Sequence, residues 1–350
     1  MKRITVNRIK FLILSLMVCL AFSPSDYAQS NKTDLQTHGL KGRVKTVEEY
    51  NVFFSPQEQI IKKNLRSLDT FDSKGRLTQS IQIIDQGDNS FYHRYKFVFD
   101  RKGRKKLEET YVSSKGRLQD IFLPDIAETN IKKLNPRLTE KLLLKIEYKF
   151  NAKGNISEDT VIDTAADETL KSVHIYRKNG DVNIYTSKNN GPFVLVLSSL
   201  YKDNKTRLEN TNYQDSIPVY KTISYYENGK FLYREQFNLQ PSPNNDRIIQ
   251  TLAFRTKETT KGIRRETESL SFDKVGLPVI RSVHLVQNDL QTSQIVYKFQ
   301  NDEWLVFYRT KTEYEFDKFG SWKKSIVYKQ EGANPNFLKN FSVERKIYYY

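Results

Sequence analysis

The sequence predicts an all-β protein: a curled, strongly twisted antiparallel meander of repeated β-hairpins, with at most one short helix near 124–134. Three observations lead there. An aromatic-Asp-x-x-Gly element recurs along the chain, and the residues before it alternate between apolar and polar. The 21 Tyr and 21 Phe supply flat rings suited to a pleated face. With 38% hydrophobic residues and a mean hydropathy of −0.65, much of each strand must face water.

In chain order, residues 1–28 read as a signal peptide. Lys2, Arg3, Arg8 and Lys10 flank the start of an apolar run from Phe11 to Phe22, which Ser23, Pro24 and Ser25 end, and Ala28 offers a small residue for cleavage. No later stretch is long and apolar enough for a transmembrane helix. The expected location is outside the cytoplasm: periplasm, outer surface or secreted. Cys19, the only cysteine, sits in the apolar run without a small residue before it, so it is expected to leave with the leader. The mature chain then has no disulfide and no thiol nucleophile.

Residues 29–350 form the β-hairpin repeat domain. Phe71-Asp72-Ser73-Lys74-Gly75-Arg76-Leu77 returns as Phe99-Asp100-Arg101-Lys102-Gly103-Arg104 and as Phe150-Asn151-Ala152-Lys153-Gly154-Asn155. Further copies are Phe272-Asp273-Lys274-Val275-Gly276 and Phe316-Asp317-Lys318-Phe319-Gly320. Asp or Asn opens such a turn because its side chain accepts a backbone hydrogen bond just downstream. Gly closes it because that position needs positive φ. Before Asp100, the residues Phe91, His93, Tyr95, Phe97 and Phe99 share a face, and Leu144, Ile146, Tyr148 and Phe150 do so before Asn151. A one-residue slip would expose every ring, so the pattern pins the register.

The spacing of the turns is irregular, which argues against propeller blades or a tight solenoid. Pro124 to Leu134 is the stretch where a short helix or structured loop is expected, and the Pro-rich run at 240–245 is a candidate subdomain boundary.

The repeated Phe-Asp-x-x-Gly-Arg-Leu turn resembles the tyrosine-aspartate (YD) repeat of Rhs-type proteins, and the chain is similar to short exported Bacteroidetes-type repeat proteins. The lead-in Gly39-Leu40-Lys41-Gly42-Arg43-Val44 fits the same impression. The resemblance implies a spiralling β-sheet. It covers most of the mature chain at low density, with Phe in place of the usual Tyr, and no C-terminal toxin domain is expected.

Catalytic motifs are missing from the sequence: no Gly-x-Ser-x-Gly elbow, no phosphate-binding Gly-rich loop and no His-Glu-x-x-His pair. His38, His93, His174 and His284 do not stand at metal-ligand spacing, so neither metal nor cofactor is expected. His93, in phase with an apolar face, reads as a packing histidine. The binding candidates are Tyr225, Tyr226 and Tyr233 around one hairpin, and Trp304, Tyr308 and Trp322 around another, since exposed rings stack on sugars. The same rings also suit the sheet core.

The formal net charge is +16, of which the leader accounts for three charges. Such a surface favours an anionic glycan or envelope surface, while export argues against nucleic acid. Lysines on strand edges also prevent unwanted pairing. The sequence therefore favours a non-enzymatic exported module for binding or structure in the cell envelope. Its alternatives are an outer-membrane β-barrel and a polysaccharide-active enzyme on a β scaffold.

Overall fold

A computed structural model describes residues 33–116, 138–202, 206–242, 248–332 and 334–350. The expected signal peptide and the helix expected near 124–134 lie outside the described residues. The chain opens with a single turn of helix, α1 (Asp34–Thr37). Thr33 caps it reciprocally with Gln36: the Gln36 amide donates to Thr33 Oγ1 at 3.3 Å, and the Thr33 amide donates to Gln36 Oε1 at 2.9 Å.

Twenty antiparallel strands follow among the described residues. The first five are β1 (Val44–Phe54), β2 (Ile60–Phe71), β3 (Leu77–Ile84), β4 (Phe91–Phe99) and β5 (Lys105–Ser113). Next come β6 (Glu140–Phe150), β7 (Ile156–Asp163), β8 (Glu168–Tyr176), β9 (Val182–Lys188) and β10 (Val194–Lys202). The third group is β11 (Arg207–Gln214), β12 (Ile217–Glu227), β13 (Lys230–Pro241), β14 (Ile248–Lys261) and β15 (Arg264–Phe272). The last are β16 (Pro278–Gln287), β17 (Leu290–Gln300), β18 (Glu303–Phe316), β19 (Trp322–Glu331) and β20 (Leu338–Tyr349).

Each strand pairs with the next, as the hairpin repeat predicts, and β20 then pairs with β1. Val52 lies opposite Lys63 of β2 on one side and Ser342 of β20 on the other. The sheet is therefore a closed barrel, and the expected open, curled meander is corrected on this point. Closure satisfies two rows of backbone groups that an open sheet would leave at its edges. Strands about 4.8 Å apart and tilted by about 40° give a circular barrel of 20 strands a diameter of about 40 Å. Side chains do not fill so wide a lumen. The sheet also runs without a break past the candidate boundary at 240–245, since Leu239 pairs with Gln250 and Pro241 with Ile248.

The repeat sets the local shape of the wall. In the Phe71 copy, the Gly75 amide donates to the Asp72 carbonyl at 2.9 Å, and Asp72 Oδ1 accepts from the amides of Lys74 and Arg76. Gly75 has φ +78°. The same β-turn recurs at Asp100–Gly103, Asn151–Gly154, Asp273–Gly276 and Asp317–Gly320, each glycine having positive φ. The register shifts by one residue beside Phe71, Phe99, Phe150, Phe272 and Phe316 alike. Each turn thus carries a bulge just beyond it, which increases twist and helps bend the sheet toward closure.

Packing is local. One apolar cluster joins Tyr50, Leu65, Leu68, Ile81, Ile83 and Tyr92 on β1 to β4. A second gathers Leu35, Leu40, Val44, Val47 and Phe71 at α1, and a third joins Val182, Ile184 and Leu197. Among the described residues, no cluster bridges facing walls. The barrel is a single layer.

Candidate functional site: the barrel wall and its two rims

The pairing register sorts side chains onto two wall faces. One face carries cross-strand ion pairs: Lys171 with Glu158 at 3.2 Å, Lys221 with Glu209 at 2.9 Å and Arg255 with Glu235 at 2.6 Å. The other carries hydroxyls and amides in register, including the row Ser199, Asn210, Thr222 and Gln236 across β10 to β13. Apolar residues interrupt both faces, and neither face is a continuous apolar band.

Because the strands alternate in direction, successive connections alternate between two rims. The near rim holds α1, Tyr350 and four of the five close repeat turns; the Asp273 turn lies on the far rim. On the near rim, consecutive turns are stapled together. Arg76 is held by Asp72, with Nε to Oδ2 at 2.7 Å, and its guanidinium lies 4.6 Å from the ring centre of Phe99 in the next copy. Arg104 repeats this with Asp100 (2.8 Å) and with Phe150 (4.2 Å). The third copy has Asn155 where an arginine would continue the chain, and the run of staples stops there. A carboxylate orients the guanidinium flat on a neighbouring ring, so the motif binds its own neighbours in the sheet.

The seam where β20 meets β1 is built under α1. Arg345, 8% exposed in its side chain, donates from Nε to Glu49 Oε2 at 3.0 Å and from Nη1 to the His38 carbonyl at 2.8 Å. Its guanidinium lies 3.3 Å from the ring centre of Trp322. His38 Nδ1 stands 3.9 Å from Asp69 Oδ2, and burial raises the Asp69 carboxyl above its usual range. Burial likewise lowers the Arg345 guanidinium from its ordinary value.

The predicted ring clusters separate. Tyr225 and Tyr233 are opposed across β12 and β13 and stack at 4.1 Å with 16° between their planes. Tyr226 instead meets Phe231 edge-on at 6.1 Å. Trp304 and Trp322 do not come together: they lie at opposite ends of β18 and β19, on opposite rims. Trp304 packs on Phe299 at 5.1 Å, and Trp322 on Tyr314 at 5.9 Å. Tyr308 lies beside Phe307 at 5.5 Å, with Lys329 Nζ 5.1 Å from its ring centre. His93 sits between Phe91 and Tyr95, and burial lowers its pKa. Among the described residues, no three His, Cys, Asp or Glu side chains gather as a metal site.

The seam contacts of Arg345, Glu49, His38 and Asp69 join residues far apart in the chain and leave no local pattern in the sequence, whereas the capping pair Thr33 and Gln36 is a local signal for α1. The rims differ in charge. Exposed Lys74, Arg101, Lys102, Lys153, Arg177 and Lys178 stand on the near rim. Exposed Glu58, Asp88, Asp167, Asp215, Asp273, Asp302 and Glu303 stand on the far rim and outnumber the exposed Lys115, Lys188 and Lys274 beside them.

The chain matches no protein-family model and no curated protein. Solved structures similar to it include a porin-like protein from Bacteroides uniformis, at 9% identity over 88% of this chain and 99% of that one, with a TM-score of 0.27. Another porin-like protein, from Bacteroides vulgatus, shares 9% identity over 88% and 98%, with a TM-score of 0.22. A DUF4623 family protein from Bacteroides eggerthii shares 7% over 87% and 99%, with a TM-score of 0.12. At these scores the likenesses carry neither fold nor function across.

Proposed function

We propose that this chain is an exported, non-enzymatic barrel of the bacterial cell envelope, a binding or structural module that stands in water and encloses a wet lumen. The observation that carries the reading is the wall itself. It is closed, yet it has ion pairs on one face and a row of Ser, Asn, Thr and Gln on the other. A membrane-spanning barrel turns one apolar face to lipid, and each Lys or Arg placed at the bilayer midplane costs about 2–4 kcal/mol. Both faces of this wall suit water better. The basic near rim suits an anionic partner, in line with the charge of the whole chain. We read the repeated turn as YD-like on the strength of its shared geometry in all five copies.

A second reading, an outer-membrane pore, has its own support: closure, an even number of strands, strands of membrane-spanning length and short turns on the rim that holds both ends of the described chain. Fractionation of the source cell separates the two. The first reading expects the folded protein in an osmotic-shock or culture fraction without detergent. Recovery only from outer membranes, and only with detergent, would establish the second.

A further inference from the structure

The two rims are oppositely charged surfaces of one molecule, and we propose that the partner of the basic near rim is the acidic far rim of a second copy, so that barrels stack head to tail. This rests on the closed barrel and the anionic-partner reading above, and it names that partner. The near rim projects Lys74, Lys102 and Lys178 from short turns, all exposed. Asp72 and Asp100, the carboxylates of two of these turns, are engaged by Arg76 and Arg104 and do not offset the outward lysines.

The far rim offers the complement. Asp167, Asp215 and Asp302 occupy its tight turns, with φ of 54°, 49° and 62°, and all three are exposed. Large apolar side chains are exposed elsewhere on the same rim: Ile60 at 61%, Ile61 at 67%, Val275 at 77% and Leu277 at 60%. Exposed apolar groups at a charged rim mark a contact surface more than a solvated end. Like rims repel, which disfavours two-fold end pairing and leaves the head-to-tail arrangement. Such a contact does not close on itself and propagates along the barrel axis. Stacked barrels would continue one lumen into the next.

The test uses the mature chain from residue 29, with its mass distribution measured by analytical ultracentrifugation at about 20 mM and about 0.5 M salt, where screening differs severalfold. We expect species of two or more copies at low salt and monomer at high salt. A near-rim variant, Lys74→Glu with Lys102→Glu and Lys178→Glu, should stay monomeric at low salt. So should a far-rim variant, Asp167→Asn with Asp215→Asn, Gln214→Lys and Glu303→Lys; asparagine keeps the left-handed turn positions tolerable. Mixed in equal amounts, the two variants should associate, because each now presents the other's complement. Wild type that stays monomeric at low salt, or oligomers unchanged in both variants, would overturn the stack. A monomer that binds anionic vesicles or heparin through Lys74, Lys102 and Lys178 overturns the stack and keeps the anionic-partner reading. A monomer that binds neither removes both.

Discussion

Gly75 and Gly276 occupy the same position in two copies of the turn, and they separate backbone strain from packing. Their φ angles are +78° and +85°. A Cβ at Gly276 meets nothing within 4 Å, whereas one at Gly75 lies 2.8 Å from Leu35 Cδ1 and 3.2 Å from Leu35 Cγ. Alanine at either site costs about 1–2 kcal/mol for a left-handed residue with a Cβ. At Gly75 it must also displace Leu35, which is 9% exposed and anchors α1. Losing about half of the burial of a leucine adds about 0.8–1.5 kcal/mol. We therefore expect Gly276→Ala to destabilise by about 1–2 kcal/mol and Gly75→Ala by about 2–3.5 kcal/mol. In a Leu35→Ala background the excess should vanish, since nothing is left to collide. Urea unfolding of the wild type, the two glycine variants, Leu35→Ala and the Leu35→Ala/Gly75→Ala double variant by circular dichroism measures the totals, and fluorescence of Trp322, which touches the α1 segment at Gly39, reports the local part. Equal penalties at the two glycines, or an excess that survives Leu35→Ala, would refute the reasoning.

Three further outcomes are expected. Arg104→Ala and Phe150→Ala should each lower stability by about 1–2 kcal/mol, and the double variant should fall short of their sum by about 0.5–1 kcal/mol; strictly additive values would dissolve the staple. Burial first, and then its hydrogen bond to Asp317, push the Tyr349 hydroxyl from 10.0 up to about 12. A raised folded pKa means its contribution is whole below pH 10 and is lost as pH rises toward 12, so alkaline titration should show stability falling over that window, less steeply in Tyr349→Phe. N-terminal sequencing of the native protein should begin near Gln29; a chain retaining Met1 would contradict export.

Much of the wall was legible because period-two alternation and the Asp-x-x-Gly turn are local. Asp72 and Gly75 act within five residues, and the register they impose follows from the same short segment. The arginine staples were half legible: Arg76 and Phe99 both belong to the motif, but their contact depends on two hairpins standing side by side. Closure was not legible, since the β20–β1 pairing joins residues nearly 300 apart and depends on accumulated twist and strand count. Alternating strand direction also explains why Trp304 and Trp322 part company: one long strand carries them to opposite rims. The rim charges follow from that alternation as well, and they become visible only once every turn is assigned an end.

An introduced disulfide tests the closed ring directly. Val52 and Ser342 are directly opposed across the β1–β20 seam, and opposed residues in an antiparallel pair lie within disulfide reach. The mature chain is expected to contain no other cysteine. Val52→Cys with Ser342→Cys should lose both free thiols under mild oxidation, as should a reference pair inside the sheet, Thr222→Cys with Gln236→Cys. Closure of the reference pair while Cys at 52 and 342 both stay titratable in the folded protein would mean an open sheet.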